Sequence, residues 1–313
     1  MEMATATQIK KPSLGKLLFL ETRPQFLTLI PCVLSLGVAL SFFEGNFNGW
    51  HLILALIGSL FVHASANILN DYTDWVRGTD KLVTRTPFSG GSGLIKADLL
   101  SPQVVLAEGV ITLLIALVIG IYFVYLYSAL LWVVAVGGLL TVLYTPILTK
   151  VVITELFPGV GLGVIPVIGA YIVMQPVGQG HISPEVLWVA VPPAILVSAL
   201  LWINEIPDVK ADGATGRRHA VLLLGTKKAA IGYCALLTLN YIFVIIPAAL
   251  GILPVWVLLG LLSAPIAFKA AAGALKNHDN IGRIIPALGQ NVFTVLATPV
   301  LMAIGLVIAK LVG

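Results

Sequence analysis

Two short acidic phrases close long apolar runs in this chain. The first is Asn70-Asp71-Tyr72-Thr73-Asp74, with Asp80 beyond it; the second is Asn204-Glu205-Ile206-Pro207-Asp208, with Asp212 beyond it. Charged residues make up only 10% of the chain, so the clustering stands out. A carboxylate at mid-membrane costs about 2.5–3.5 kcal/mol on insertion scales, which makes acids at the edge of an apolar run functional candidates. On a helix, Asn67, Asn70, Asp71 and Asp74 share one face, as do Glu205, Asp208 and Asp212. Like charges at these spacings repel, so a cation is expected between them. Mg²⁺ suits the role, because it binds through one or two carboxylates and takes phosphate oxygens for the rest of its shell. The chemistry implied is that of a phosphorylated substrate.

The elements that position these acids are membrane helices. Hydrophobic residues make up 58% of the 313, and the mean hydropathy is +1.02. Nine apolar runs of spanning length are expected, near 24–43, 51–70, 103–124, 126–144, 154–173, 185–204, 228–249, 252–270 and 287–309. With the N-terminus cytoplasmic, 17 of the 18 Lys and Arg fall on inner segments, and only Lys310 lies outside. That bias follows the positive-inside rule and puts both acidic phrases on the cytoplasmic face of an inner membrane. The expected fold is therefore all-α and integral to the membrane, with nine transmembrane helices around a central cavity. Residues 71–102 and 205–227 are expected to cap it as cytoplasmic loops. The phrases stand 134 positions apart, which suggests two four-helix halves, about 24–144 and 154–270, plus a ninth helix. The net charge of +4 and pI near 9.0 follow from orientation. No soluble segment carries a basic stripe with interleaved aromatics, which excludes nucleic acid as a partner. Cys32 and Cys234 are expected to pack as small apolar side chains. No clear signal or transit peptide is read at the N-terminus.

The paired phrases resemble the two aspartate-rich motifs of the UbiA superfamily of intramembrane prenyltransferases. The family's first motif reads Asn-Asp-x-x-Asp with a further Asp, matched by Asn70, Asp71, Asp74 and Asp80. Its second reads Asp-x-x-x-Asp, matched by Asp208 and Asp212. The six-position step from Asp74 to Asp80 is similar to that of the 1,4-dihydroxy-2-naphthoate prenyltransferases of menaquinone synthesis. So are Glu155-Leu156, Gly163, Pro166, Gly169-Ala170-Tyr171 and Gln175, and Gly216-Arg217-Arg218 ahead of Leu224-Gly225. Three places depart from the pattern. His219 stands where Thr is usual and Glu205 where Asn is frequent. Thr86-Pro87-Phe88-Ser89-Gly90-Gly91-Ser92-Gly93 replaces the usual Arg-Pro-x-x-x-Gly loop.

The resemblance implies Mg²⁺-dependent transfer of a polyprenyl group from its diphosphate to an aromatic acceptor, with 1,4-dihydroxy-2-naphthoate expected. Acceptors such as 4-hydroxybenzoate, homogentisate, haem, chlorophyllide or glycerol phosphate are alternatives within the superfamily. Asp71, Asp74 and Asp80 are expected to hold one Mg²⁺, and Asp208 and Asp212 another. Arg77, Lys81, Arg85, Lys150, Arg217 and Arg218 are candidates for the diphosphate clamp, Arg offering the better bidentate geometry. Asn67, Asn70 and Asn204 are expected to orient carboxylates or contact ligand, and Tyr144 to face the allylic cation. The plainer expectations are a hydrogen-bonded packing role for His63 and interfacial positions for His51, His181 and His278. Gly159 and Gly163 are read as sites of close helix packing. A secondary transporter is the alternative from another class, although transport predicts acids near mid-span in both halves. A CDP-alcohol transferase is set aside because its extended signature is absent.

Overall fold

The computed structural model describes residues 12–79, 90–214 and 216–313. Asp80, Lys81, Arg85 and the segment 86–89 lie outside the described residues. The described chain is helical and contains no strand. A short helix α1 (Leu14–Glu21) precedes nine apolar helices. In order these are α2 (Pro24–Phe43), α3 (Gly49–Arg77), α4 (Pro102–Leu126), α5 (Leu130–Leu143) and α6 (Leu156–Val173). They continue with α7 (Pro184–Ala214), α8 (Ala220–Ala249), α9 (Val255–Asn277) and α10 (Ile281–Val312).

Eight of the nine are long and apolar enough to cross a membrane. The exception is α5, the core of the run expected at 126–144. Its 14 residues rise about 21 Å, short of the roughly 30 Å hydrocarbon core. Extended backbone at Tyr127 separates α5 from α4, and turns around Thr145-Pro146 end it. Two helices overshoot instead. With 29 residues, α3 spans about 43 Å, and α7 with 31 spans about 46 Å. Their excess length carries both acidic phrases on helix rather than loop, so the expected loops 71–102 and 205–227 both begin late. Capping sets the limits of α3. The Asn48 side chain accepts from the His51 N–H at the start of α3, and Gly78, in the left-handed region at φ 77°, closes it.

Buried apolar side chains from α2, α6, α7, α8, α9 and α10 form one continuous core, with Leu36, Val167, Tyr171, Leu196, Val257 and Leu288 at or near zero exposure. Small residues bring these helices into backbone contact, as in membrane bundles generally. A Cβ at Gly37 would collide with the Val167 carbonyl, one at Gly305 with the Trp256 carbonyl, and one at Gly163 with the Ala194 backbone. The last crossing coincides with a π-helical stretch, Gly159–Val164, inside α6. His51, expected at an interface, is instead buried: its Nδ1 lies 2.9 Å from the Val173 carbonyl and 3.1 Å from the Tyr127 hydroxyl.

Gly37→Ala and Gly305→Ala should each destabilise the bundle by roughly 1–3 kcal/mol through overpacking. Gly138→Ala, where a Cβ meets nothing within 4 Å, should stay within about 0.5 kcal/mol of the parent. Thermal melts in detergent test the contrast.

Candidate active site

A cavity of about 440 Å³ lies among α2, α3, α4, α5, α6, α7 and α10. Most of its wall is apolar, with Leu117, Val134, Leu140, Ile165, Leu200 and Leu296 among the lining residues. Asn67, Asn70, Asp74, Tyr144, Asn204, Asp208, Asp212 and Arg217 all line it as well. The acids sit on the last turns of α3 and α7. One side chain brings these two helix ends together. Arg217, from the short segment before α8, lies 2.6 and 2.7 Å from the two Asp74 oxygens and 3.4 Å from Asp212 Oδ1. Burial opposes its charge, but Asp74 and Asp212 outweigh that effect and hold the guanidinium above its usual, already high, pKa.

Behind this pair lies a second charged layer. His219 Nε2 is 3.2 Å from Asp212 Oδ2, and Nδ1 is 3.3 Å from Glu205 Oε2. Burial would lower the imidazole pKa, yet hydrogen bonds to Asp212 and Glu205 and their charges prevail and push it up to about 9. Nδ1 also lies 3.2 Å from the Leu222 N–H as the N-cap of α8. An imidazolium cannot accept that bond, so the cap and the Glu205 ion pair exclude one another. Glu155 completes the layer, accepting from the Ala220 N–H at 3.1 Å. Among the described residues, Glu155, Glu205 and His219 are the one trio whose donor atoms all lie within 4.8 Å of each other. Each already serves this network. Two of the three family departures, Glu205 and His219, are therefore partners in space.

Asp71, in the first motif, is 3% exposed and is not among the cavity's lining residues. Its Oδ2 accepts the Ser92 N–H at 2.5 Å, while Oδ1 is buried without a hydrogen bond and lies 3.7 Å from Arg23 Nη1. Gly91, at φ 67°, allows this approach, since a Cβ there would press on the carboxylate. Ser92 Oγ also donates to Glu21 at 2.6 Å, tying α1 to the motif. Asn70 donates to Thr145 Oγ1 at 2.9 Å and Asn67 to the Thr22 carbonyl at 3.0 Å. Burial and the nearby Glu205 charge raise the Tyr144 pKa, so its phenol keeps its proton at neutral pH.

The remaining basic candidates are placed differently. Arg77 donates to the Thr145 and Pro146 carbonyls at 2.5 and 2.6 Å, pinning the end of α5 to α3. Lys150 and Arg218 are exposed, and neither lines the cavity. Two cavity residues carried no site role in the sequence reading. Arg23 counted only toward topology, and its signal was a cation directly ahead of Pro24. It adopts φ 56°, ψ 62°, a left-handed conformation costing a non-glycine residue about 1–2 kcal/mol, and its guanidinium stacks 4.7 Å from the Phe26 ring centroid. His63 was expected to be hydrogen-bonded; its Nδ1 is buried and has no hydrogen-bond partner.

The sequence profile of the UbiA prenyltransferase family matches residues 28–308. The chain belongs to this family. As a member it is a prenyltransferase, which sets aside the transporter alternative. It is 27% identical to the 1,4-dihydroxy-2-naphthoate octaprenyltransferase of Bacillus subtilis, over 97% of this chain and 96% of that one. Its fold is similar to a UbiA homologue from Aeropyrum pernix, with a TM-score of 0.68 at 19% identity over 88% of this chain and 97% of that chain. It is also similar to a UbiA homologue from Archaeoglobus fulgidus bound to GPP and Mg²⁺, with a TM-score of 0.57 at 14% identity over 93% and 99%.

Arg217→Gln should expose the dependence of both helix ends on one cation. Breaking a buried ion pair costs 3–5 kcal/mol, and the 21% exposure of the Arg217 side chain reduces the expected loss to about 1–3 kcal/mol in chelator. The Asp74→Asn, Arg217→Gln double variant should lose less than the sum of the singles, a coupling that melts of all four proteins measure.

Proposed function

We propose that this membrane enzyme transfers a polyprenyl group from its diphosphate to an aromatic acid, 1,4-dihydroxy-2-naphthoate being the favoured acceptor, at the cytoplasmic face of an inner membrane. The observation that carries the reading is a carboxylate-rich mouth on an apolar cavity, with the two motifs joined by one guanidinium. A prenyl diphosphate has the same division, an anionic head and an apolar tail. The 97% coverage by the Bacillus subtilis naphthoate enzyme supports the acceptor.

The donor set fits magnesium. Its oxygens are hard ligands, Asp71 Oδ1 is buried without a hydrogen bond, and a cationic side chain stands between Asp74 and Asp212. Asp71 and Asp74, with Asp80, would hold one ion, and Asp208 and Asp212 another. The chemistry that bound magnesium supplies is neutralisation of the diphosphate as the C–O bond breaks.

The chain's own groups do the rest. The Arg217 fork is suited to phosphate oxygens and reaches them by leaving Asp74. The apolar wall takes the tail and keeps water from the allylic cation. Tyr144 offers that cation a neutral ring face, an attraction of roughly 0.5–2 kcal/mol. The acceptor carbon then bonds to C1 of the prenyl group as the C1–O bond breaks and diphosphate leaves, and the ring proton at that carbon passes to a base or to water to restore aromaticity.

Purified protein should transfer labelled prenyl groups to 1,4-dihydroxy-2-naphthoate and stop in EDTA. Asp71→Ala and Asp208→Ala should each lower turnover at least about a hundredfold while remaining helical and monodisperse. No metal-dependent product with any aromatic acceptor, or near-normal rates in both variants, would overturn the reading.

A further inference from the structure

The cavity holds a second group of polar side chains, which adjoins the acid mouth at Asp71 and runs away from it along α3. His63 stands on α3 eight residues before Asp71, about 12 Å along the helix axis. It is 4% exposed and lines the cavity, and its Nδ1 has no hydrogen-bond partner. Arg23, entering from the start of α2, lines the cavity too. Its guanidinium lies against Asp71, and His63 lines the same cavity. The Asp71 contact at 3.7 Å is longer than a hydrogen bond, and the Arg23 Nε is buried with no partner at all. Phe26 lies against the guanidinium and limits how it can turn. A mostly buried cation with an unused Nε donor, lining the same cavity as an unsatisfied imidazole, is costly unless an anion completes the set.

We infer that Arg23 and His63 form the subsite for the acceptor's carboxylate, an inference that rests on the aromatic-acid acceptor proposed above. A planar carboxylate matches the guanidinium fork on one side, and the second oxygen takes an N–H from His63. The acid group then lies on the α2–α3 wall, deeper than the diphosphate, and the ring is held across the cavity beneath the prenyl C1. Most of the remaining lining is apolar and cannot solvate a carboxylate, so this pair decides whether an acidic acceptor enters. Anion recognition at Arg23 could equally serve the diphosphate, and the test separates the two sources.

The experiment compares 1,4-dihydroxy-2-naphthoate with 1,4-naphthohydroquinone, which lacks the carboxylate, using the full-length protein in nanodiscs. Wild type should favour the acid at least tenfold in kcat/KM. Arg23→Gln and His63→Leu should each bring that ratio close to one, mainly through the KM for the acid, and Arg23→Lys should restore part of it. The KM for prenyl diphosphate should move less than twofold in all three. A raised prenyl diphosphate KM with the acceptor ratio intact would assign Arg23 to the diphosphate and overturn the subsite. An intact ratio in His63→Leu would overturn it as well. Should wild type transfer to neither acceptor, the acceptor assignment fails, and equilibrium binding of 2-naphthoate decides the subsite alone. Loss of binding in Arg23→Gln supports it; equal affinity in both proteins overturns it.

Discussion

Carboxylates placed against lipid must be neutralised, and the architecture around this cavity follows from that requirement. Asp74 and Asp212 come from helices far apart in sequence, and the Arg217 guanidinium between them supplies the compensating charge. Behind it, His219 does the same for Asp212 and Glu205. Each cation comes from the segment just ahead of α8, so a short stretch of chain joins the second motif to the first. Such an arrangement is stable only while its charges stay paired, because an orphaned buried charge costs several kcal/mol. It is also well suited to exchange one cation for another when an anionic ligand arrives with its own metal.

The frame that holds these charges is made from residues with almost no chemistry. Gly37, Gly163 and Gly305 let α2, α6 and α10 touch neighbouring backbones directly. In lipid there is no hydrophobic gain from bringing helices together, so close contact has to supply the cohesion. The same tightness on one side leaves room on the other, where α5 is short and the cavity opens between α3 and α7. The same helices thus divide between packing and lining the cavity. His63 shows the division well, since it sits on a spanning helix yet turns an unsatisfied ring toward the interior.

Some of this was legible from residues alone. The apolar runs announced membrane helices because twenty such residues have few other stable environments. The repeated Asn and Asp at helical spacing marked the mouth of the cavity. Less visible was where helices end: α3 continues past its apolar run until a cap at Gly78, rather than hydropathy, terminates it, and α7 runs on to Ala214. The basic residues were least legible of all. Arg77, Arg217 and Arg218 look alike in a topology argument, yet one pins a loop, one bridges two aspartates and one is exposed.

What the sequence determined by itself was the kind of environment each segment requires and the kind of ion its acids attract, since both depend on local composition and periodicity. What only the tertiary structure decided was partnership: that Glu205 and His219 meet, that Arg23 and His63 line one cavity, that Arg217 spans two motifs. Hydropathy and helical period act over a few turns, whereas an ion pair across 143 residues exists only once packing has brought its halves within reach.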